Sequence, residues 1–220
     1  MRYILMTVAL LLLLLANMVF GTVSIPPESV ITILTGGDCD NEIWRYIIIG
    51  SRLPQSITAL LSGMSLSACG LMLQTIFRNP LADPSILGIS SGAGLGAAIV
   101  LLAFSGLGLL ATASAAMVGA IVAISLLVAT SAWGRSSTSL LVVGVMLSSI
   151  IGSLTSLLNF FATDEGVKSF VIWGLGNFNG CQGERLGVYA ACCVLSLLLL
   201  PLTFRSLDAL LLGDDYALSV

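Results

Sequence analysis

Five long stretches of this chain contain no Asp, Glu, Lys or Arg: Tyr3 to Pro27, Leu53 to Phe77, Pro84 to Gly134, Ser136 to Thr163 and Leu186 to Phe204. A helix needs about 20 apolar residues to cross the hydrocarbon core of a bilayer. One charge at its centre costs about 2.5–3.5 kcal/mol or more. The third stretch is long enough for two crossings, with Phe104-Ser105-Gly106-Leu107-Gly108 as the turn between them. The pattern therefore predicts an all-α polytopic membrane protein with six transmembrane helices, at about 3–20, 54–77, 85–103, 109–132, 138–162 and 186–204. These make a transmembrane domain over 1–206, followed by a separate segment over 207–220.

Composition closes off other classes. Charged residues are 9% of the chain and hydrophobic ones 57%, whereas a soluble domain carries about 25% charged residues. A net charge of −3, with only 8 Lys and Arg, leaves no basic patch to displace counterions from phosphates, so nucleic acid is excluded as a partner. The first span has a secretory look, with Arg2 ahead of an apolar run from Ile4 to Ala16. That run is long for a signal and no small-x-small cleavage site follows, so an uncleaved helix is expected. With the N-terminus inside, Arg2, Arg78, Arg135 and Arg205 face the cytoplasm, while Arg45, Arg52, Lys168 and Arg185 face out. The positive-inside count ties, and Arg2 beside the first span tips it towards N-inside.

Of the five cysteines, Cys69, Cys192 and Cys193 fall in spans, where cysteine acts as a small apolar residue. Cys39 and Cys181 fall in outer loops, either as a disulfide or as two unrelated thiols. There is no histidine and no Cys-x-x-Cys spacing, so no metal site or cofactor is expected. Between the first two spans, Glu42 to Ile49 with Trp44 and Tyr46 reads as a short interfacial helix. In the Asp164 to Arg185 loop, Phe170 to Leu175 reads as another.

Two patterns lie inside the spans. Gly63-x3-Ser67, Gly88-x3-Gly92 and Gly92-x3-Gly96 place small residues on one helix face, which in lipid permits close helix packing. On the fifth span, Ser148, Gly152, Thr155 and Asn159 recur along one line, with Ser149, Ser153 and Ser156 beside it. This broad polar stripe faces either other helices, through hydrogen bonds, or a translocation path. Such a path would be weakly polar and uncharged.

The segment Arg78-Asn79-Pro80-Leu81-Ala82-Asp83-Pro84-Ser85-Ile86-Leu87-Gly88-Ile89-Ser90-Ser91-Gly92-Ala93 reads as a rigid inner loop. In it, Asp83 and Pro84 are expected as N-cap and first residue of the third helix. As a string it closely resembles the permease subunits of ABC importers for iron-siderophores, haem and cobalamin. Arg52-Leu53-Pro54-Gln55 resembles that family's Arg-Leu-Pro-Arg, with Gln55 replacing the second arginine. Trp173-Gly174-Leu175-Gly176 resembles its tryptophan-glycine segment. Leu207-Asp208-Ala209-Leu210-Leu211-Leu212-Gly213-Asp214-Asp215 resembles the cytoplasmic segment that touches the ATPase.

The resemblance implies the N-terminal part of a ten-helix permease fold in the inner membrane, N-terminus inside. Its implied partners are a second permease copy (identical or paralogous), two cytoplasmic ATPase subunits and an outer substrate-binding protein. Arg52 is the implied docking residue for the binding protein; an interfacial anchor is its bland alternative. Leu207, Leu210, Leu211, Leu212, Gly213, Asp214 and Asp215 are the implied ATPase coupling residues, read as two short helices broken at Gly213. With four spans fewer than the family, the chain is expected to be a fragment, a truncated product or half of a split permease, non-transporting alone.

Other functions fit less well. The sole lysine, Lys168, lies in Thr163-Asp164-Glu165-Gly166-Val167-Lys168-Ser169, which lacks the glycines of a phosphate-binding loop. An intramembrane serine hydrolase lacks its histidine. An ion-coupled carrier, the remaining transport class, usually needs an intramembrane carboxylate, and no predicted span has one.

Overall fold

The computed structural model describes residues 1–37, 41–104, 106–131 and 137–213. It is helical, and its contacts divide it into two compact units: Met1–Ser67 with Asn177–Leu202, and Ala68–Gly176 with Thr203–Val220. Among the described residues, four helices are long and apolar enough to cross a membrane, or five if one broken pair counts as a single span.

The first unit opens with α1 (Arg2–Val19), whose apolar side chains are almost all exposed, as a lipid-facing helix requires. Helix α2 (Pro27–Leu34) has Pro27 in its first turn, where the missing N–H costs nothing, and Glu28 at the positive end of its dipole. Helix α3 (Glu42–Ile47) is capped by Asn41, whose side chain accepts from the Ile43 amide at 3.0 Å. A small core of Met18, Ile25, Val30, Ile33 and Ile48 gathers these pieces, with Trp44, Ile47 and Leu53 packed around it.

The helix expected to be a separate interfacial piece is instead continuous with the second span. From α3 the chain passes through a π-helical turn (Ile48–Arg52) into α4 (Leu53–Phe77), so one apolar helix runs from Glu42 to Phe77. Pro54 marked a helix start in the sequence, because a proline clashes with the carbonyl four residues before it. The wider π-turn, in which the Leu53 amide bonds the Ile48 carbonyl, gives the helix room to pass Pro54. Helix α9 (Glu184–Leu199) completes this unit; its Tyr189 hydroxyl shares a 2.6 Å hydrogen bond with Ser62 of α4.

The second unit centres on α5 (Ile89–Ala98) and its π-helical extension (Ile99–Ala103), packed against α6 (Gly108–Ser131) and α7 (Ser137–Phe161). Here the glycine spacing has a concrete role. A Cβ on Gly96 would overlap the Ala115 carbonyl, and one on Gly92 would stand 2.5 Å from the Gly119 carbonyl oxygen. Across α7, a Cβ on Gly144 would sit 2.8 Å from the Ile86 carbonyl oxygen. Backbones in contact supply the dispersion that hydrophobic burial cannot supply in lipid. Gly63, by contrast, has nothing within 4 Å.

The third helix is shorter than the expected 85–103. Asp83 and Pro84 are not its N-cap and first residue: the Asp83 carboxylate accepts from the Ser85 amide at 2.7 Å and from the Ser85 hydroxyl, closing a turn of its own. The helix starts only after Gly88, its N-cap, whose φ of 80° suits glycine alone. Buried Ala82 and Leu87 pin the loop between. Helix α8 (Asp164–Leu175) fills more of its loop than the expected 170–175; Thr163 caps it, and Gly166 lies against the Leu101 carbonyl.

The expected sixth span over 186–204 breaks at Pro201, which cannot donate into the preceding turn. Helix α10 (Pro201–Leu212) follows and runs through the boundary drawn at 206 and 207. The proposed coupling residues up to Leu212 are thus the end of a longer helix. Gly213, at φ 126°, ends it. Asp214, Asp215 and Cys39 lie outside the described residues.

Candidate functional site: the polar face of α7 and two arginine clamps

Every side-chain donor on the α7 stripe bonds its own helix. Ser148, Ser149, Ser153, Thr155 and Ser156 donate to the carbonyls of Gly144, Val145, Ser149, Ile151 and Gly152, each at 3.0 Å. Asn159 donates to the Thr155 carbonyl at 2.9 Å. Ser149, Gly152, Ser153 and Ser156 are exposed, while Ser148, Thr155 and Asn159 are half-buried. Back-bonding of this kind satisfies a hydroxyl without a neighbouring helix. The stripe is therefore a strip of oxygen lone pairs, with the hydroxyl protons turned inward and no charge. Ser148 and Ser149 also line an open groove of about 320 Å³ with Ser85, Ile86 and Val145, where α7 meets the loop before α5. A larger apolar groove of about 530 Å³ runs between α5, α6 and α7.

Arg52, the expected docking residue, is buried against its own chain. It is 6% exposed. Its guanidinium donates to the carbonyls of Met18 at 2.5 Å, Val19 at 3.0 Å and Val23. These oxygens lie at and just beyond the C-terminal end of α1, where helix carbonyls lack partners and the dipole favours a cation. Gly21 makes room for the clamp, since a Cβ there would stand 2.7 Å from Arg52 Nη2. Ser56, one turn along α4, donates to the Asn17 side-chain oxygen at 3.2 Å, so the same two helix ends are tied twice. The expected docking and anchoring roles thus fall on a side chain already engaged with the end of α1.

Arg78 repeats the arrangement. It is the one described non-glycine residue with positive φ, at 47°. Its amide bonds the Thr75 carbonyl at 3.2 Å, and the Asn79 amide bonds the Gln74 carbonyl at 3.1 Å. That pair of bonds is the Schellman ending of α4, a position glycine normally fills. Nε and Nη2 of Arg78 both donate to the Leu210 carbonyl, at 3.1 and 2.7 Å. Next along the loop, Asn79 Oδ1 accepts from the Leu81 amide at 2.9 Å, with Pro80 between them in the turn. At the end of α10, Leu207 and Leu210 are half-buried, whereas Leu211 and Leu212 are 61% and 70% exposed.

Residues 9–220 match the FecCD transport family. The chain belongs to that family. FecCD relatives include the hemin transport system permease protein HmuU of Yersinia pestis, 31% identical over 94% of this chain and 64% of that protein. The Fe(3+)-citrate import system permease protein YfmE of Bacillus subtilis is 32% identical over 97% of this chain and 63% of that protein. Among solved structures, an inward-facing metal-chelate type ABC transporter superposes with a TM-score of 0.79 and 28% identity, over 97% of this chain and 65% of that one. The chain thus spans somewhat under two thirds of the proteins it matches. As a FecCD member with several helices long and apolar enough to cross a membrane, it is a multi-pass membrane protein.

Sequence reasoning located the α7 stripe but missed the Arg78–Leu210, Ser56–Asn17 and Ser62–Tyr189 contacts. Each joins positions far apart in the chain, and no periodicity signals them. A non-glycine residue at a helix end was the one local hint, and it pointed only to Arg78.

Proposed function

We propose that this chain is the membrane-spanning subunit, or its N-terminal part, of an inner-membrane ABC importer for an iron chelate such as haem or a siderophore complex, or for cobalamin. The family match over residues 9–220 carries the reading. The polar face of α7 supports it: Ser148, Ser149, Gly152, Ser153, Thr155, Ser156 and Asn159 would line the path with uncharged acceptors. Such a wall hydrates a large polar chelate without binding it tightly, and tight binding would slow its release. The N-terminus lies in the cytoplasm in this reading. A second permease copy completes the path, two ATPase chains supply the energy, and an outer binding protein delivers the chelate. Leu207, Leu210, Leu211 and Leu212, with Gly213, Asp214 and Asp215, would meet the ATPase.

Docking of the binding protein falls in this reading to exposed groups other than Arg52, which is committed to α1. Uptake of labelled haem, ferric siderophore and cobalamin in cells expressing the chain with its partner subunits tests the proposal. Uptake that depends on the partner ATPase and falls when Ser149 and Ser153 become Leu is expected. Uptake that follows an ion gradient and ignores the ATPase would refute it.

A further inference from the structure

We propose that Arg78 is a positioning residue that ties the end of α4 to the last turn of α10, so that the inner loop and the coupling helix move as one piece. The inference rests on the reading of α10 as the ATPase-contacting element and adds the part that would carry its motion into the membrane-spanning helices.

Three observations support it. The bond is two-pronged: Nε and Nη2 converge on one carbonyl, 132 residues away in sequence. Two N–H donors fixed in one plane share that oxygen, so the guanidinium is held more firmly than a single donor would be. The acceptor is Leu210, which sits in the last turn of α10 and also accepts from the Gly213 amide at 3.3 Å, so the tie grips the helix in its last turn, at the negative end of its dipole. Finally, the backbone of Arg78 is strained. The helix ending that it completes is built for glycine, and an arginine there is placed at a cost in backbone energy that the guanidinium contact explains. From Arg78 the loop continues directly through the Asn79 and Asp83 turns to α5, which is packed backbone to backbone on α6. A pull on the end of α10 therefore reaches the packed helices through covalent chain and one bidentate bond.

Backbone strain supplies the decisive variant. Arg78→Gly keeps the ending of α4, and relieves its strain, while removing the guanidinium. Hydrogen–deuterium exchange on the full chain in nanodiscs is the first readout, since exchange reports local opening. Arg78→Gly is expected to speed exchange over 207–213 about tenfold, with the turn at 74–79 still protected. Arg78→Lys, which keeps the charge but not the fork, should recover only part of the protection. Exchange over 207–213 within twofold of wild type in Arg78→Gly would overturn the tie.

The second readout is coupling in the importer assembled with its ATPase chains. Transport per ATP hydrolysed should fall about fivefold in Arg78→Gly with basal hydrolysis retained. An equal loss of both, or of neither, would overturn the coupling role. Failure of the wild-type chain to recruit any ATPase would count against the proposed function instead, and the exchange result would stand by itself.

Discussion

Replacing Arg52 with alanine should unfasten the end of α1 from α4, and the size of the effect follows from the contacts. Three carbonyl oxygens, those of Met18, Val19 and Val23, accept from one guanidinium. A buried acceptor left without a donor costs about 1–3 kcal/mol. The Met18 bond is buried and the other two are partly buried, so counting the last two at half weight gives about 4 kcal/mol. Lysine in the same place offers one ammonium where the fork offered two nitrogens, and should recover roughly half of that. Trp44 packs against the core beside the clamp and can report on it once Trp133 and Trp173 are changed to Phe. Unfolding by SDS in mixed micelles, followed by Trp44 fluorescence, should give a large shift for Arg52→Ala and an intermediate one for Arg52→Lys. An arginine held in reserve for docking would leave the isolated chain untouched. If Arg52→Ala unfolds within about 0.5 kcal/mol of wild type, the clamp is not what holds this end together.

Other contacts give smaller or opposite effects. Gly96→Leu would drive a side chain into the Ala115 backbone and should destabilise the second unit by about 3 kcal/mol or more, whereas Gly63→Ala meets open space and should gain about 0.5 kcal/mol, both read by the same unfolding assay. A double-mutant cycle of Ser62→Ala and Tyr189→Phe should return a coupling near 0.6 kcal/mol, the usual size for a hydrogen bond between membrane helices, and a value near zero would mean the pair is not formed. The Asp83 carboxyl is held below its ordinary pKa of 3.8 by the Ser85 hydroxyl and then the Ser85 amide. A lowered value means the turn is favoured above the ordinary pKa and loses that support as pH falls through the folded one. Carbon-13 titration of Asp83 should therefore give a midpoint under the ordinary value, moving up in Ser85→Ala; no movement would remove the hydroxyl as the cause.

Charge placement made most of the architecture legible. Long stretches without ionised groups have one stable environment, and α1, α6 and α7 follow them closely. What failed was the local punctuation. The expected bounds put Pro54 at the start of the second span, Pro84 at the start of the third helix and Pro201 inside the sixth span. A π-turn let the helix through Pro54, a carboxylate turn at Asp83 delayed the start past Pro84, and only Pro201 broke its helix. Each outcome depends on a hydrogen-bond register that residue identity does not reveal. The glycine spacing was legible as packing, but its division of labour was not: Gly92 and Gly96 hold a crossing while Gly63 holds none.

The arginines show the same limit from the side of function. In the sequence, Arg52 and Arg78 are charges at the two ends of one apolar run, and either end looks like a place to meet water, headgroups or a partner. In the fold each guanidinium faces the C-terminal carbonyls of another helix, α1 for Arg52 and α10 for Arg78. The physical reason is common to both. The last turn of a helix leaves carbonyl oxygens with acceptor capacity that the helix itself does not use. A guanidinium supplies several donors and a positive charge to the negative end of the dipole at once. Helix α4 thus carries a clamp at each end, and the two differ in what they hold. Arg52 closes on a helix end next to a packed core, so its loss should be read in stability. Arg78 closes on the exposed-tipped helix α10 and bears backbone strain to do so, so its loss should be read in motion and coupling.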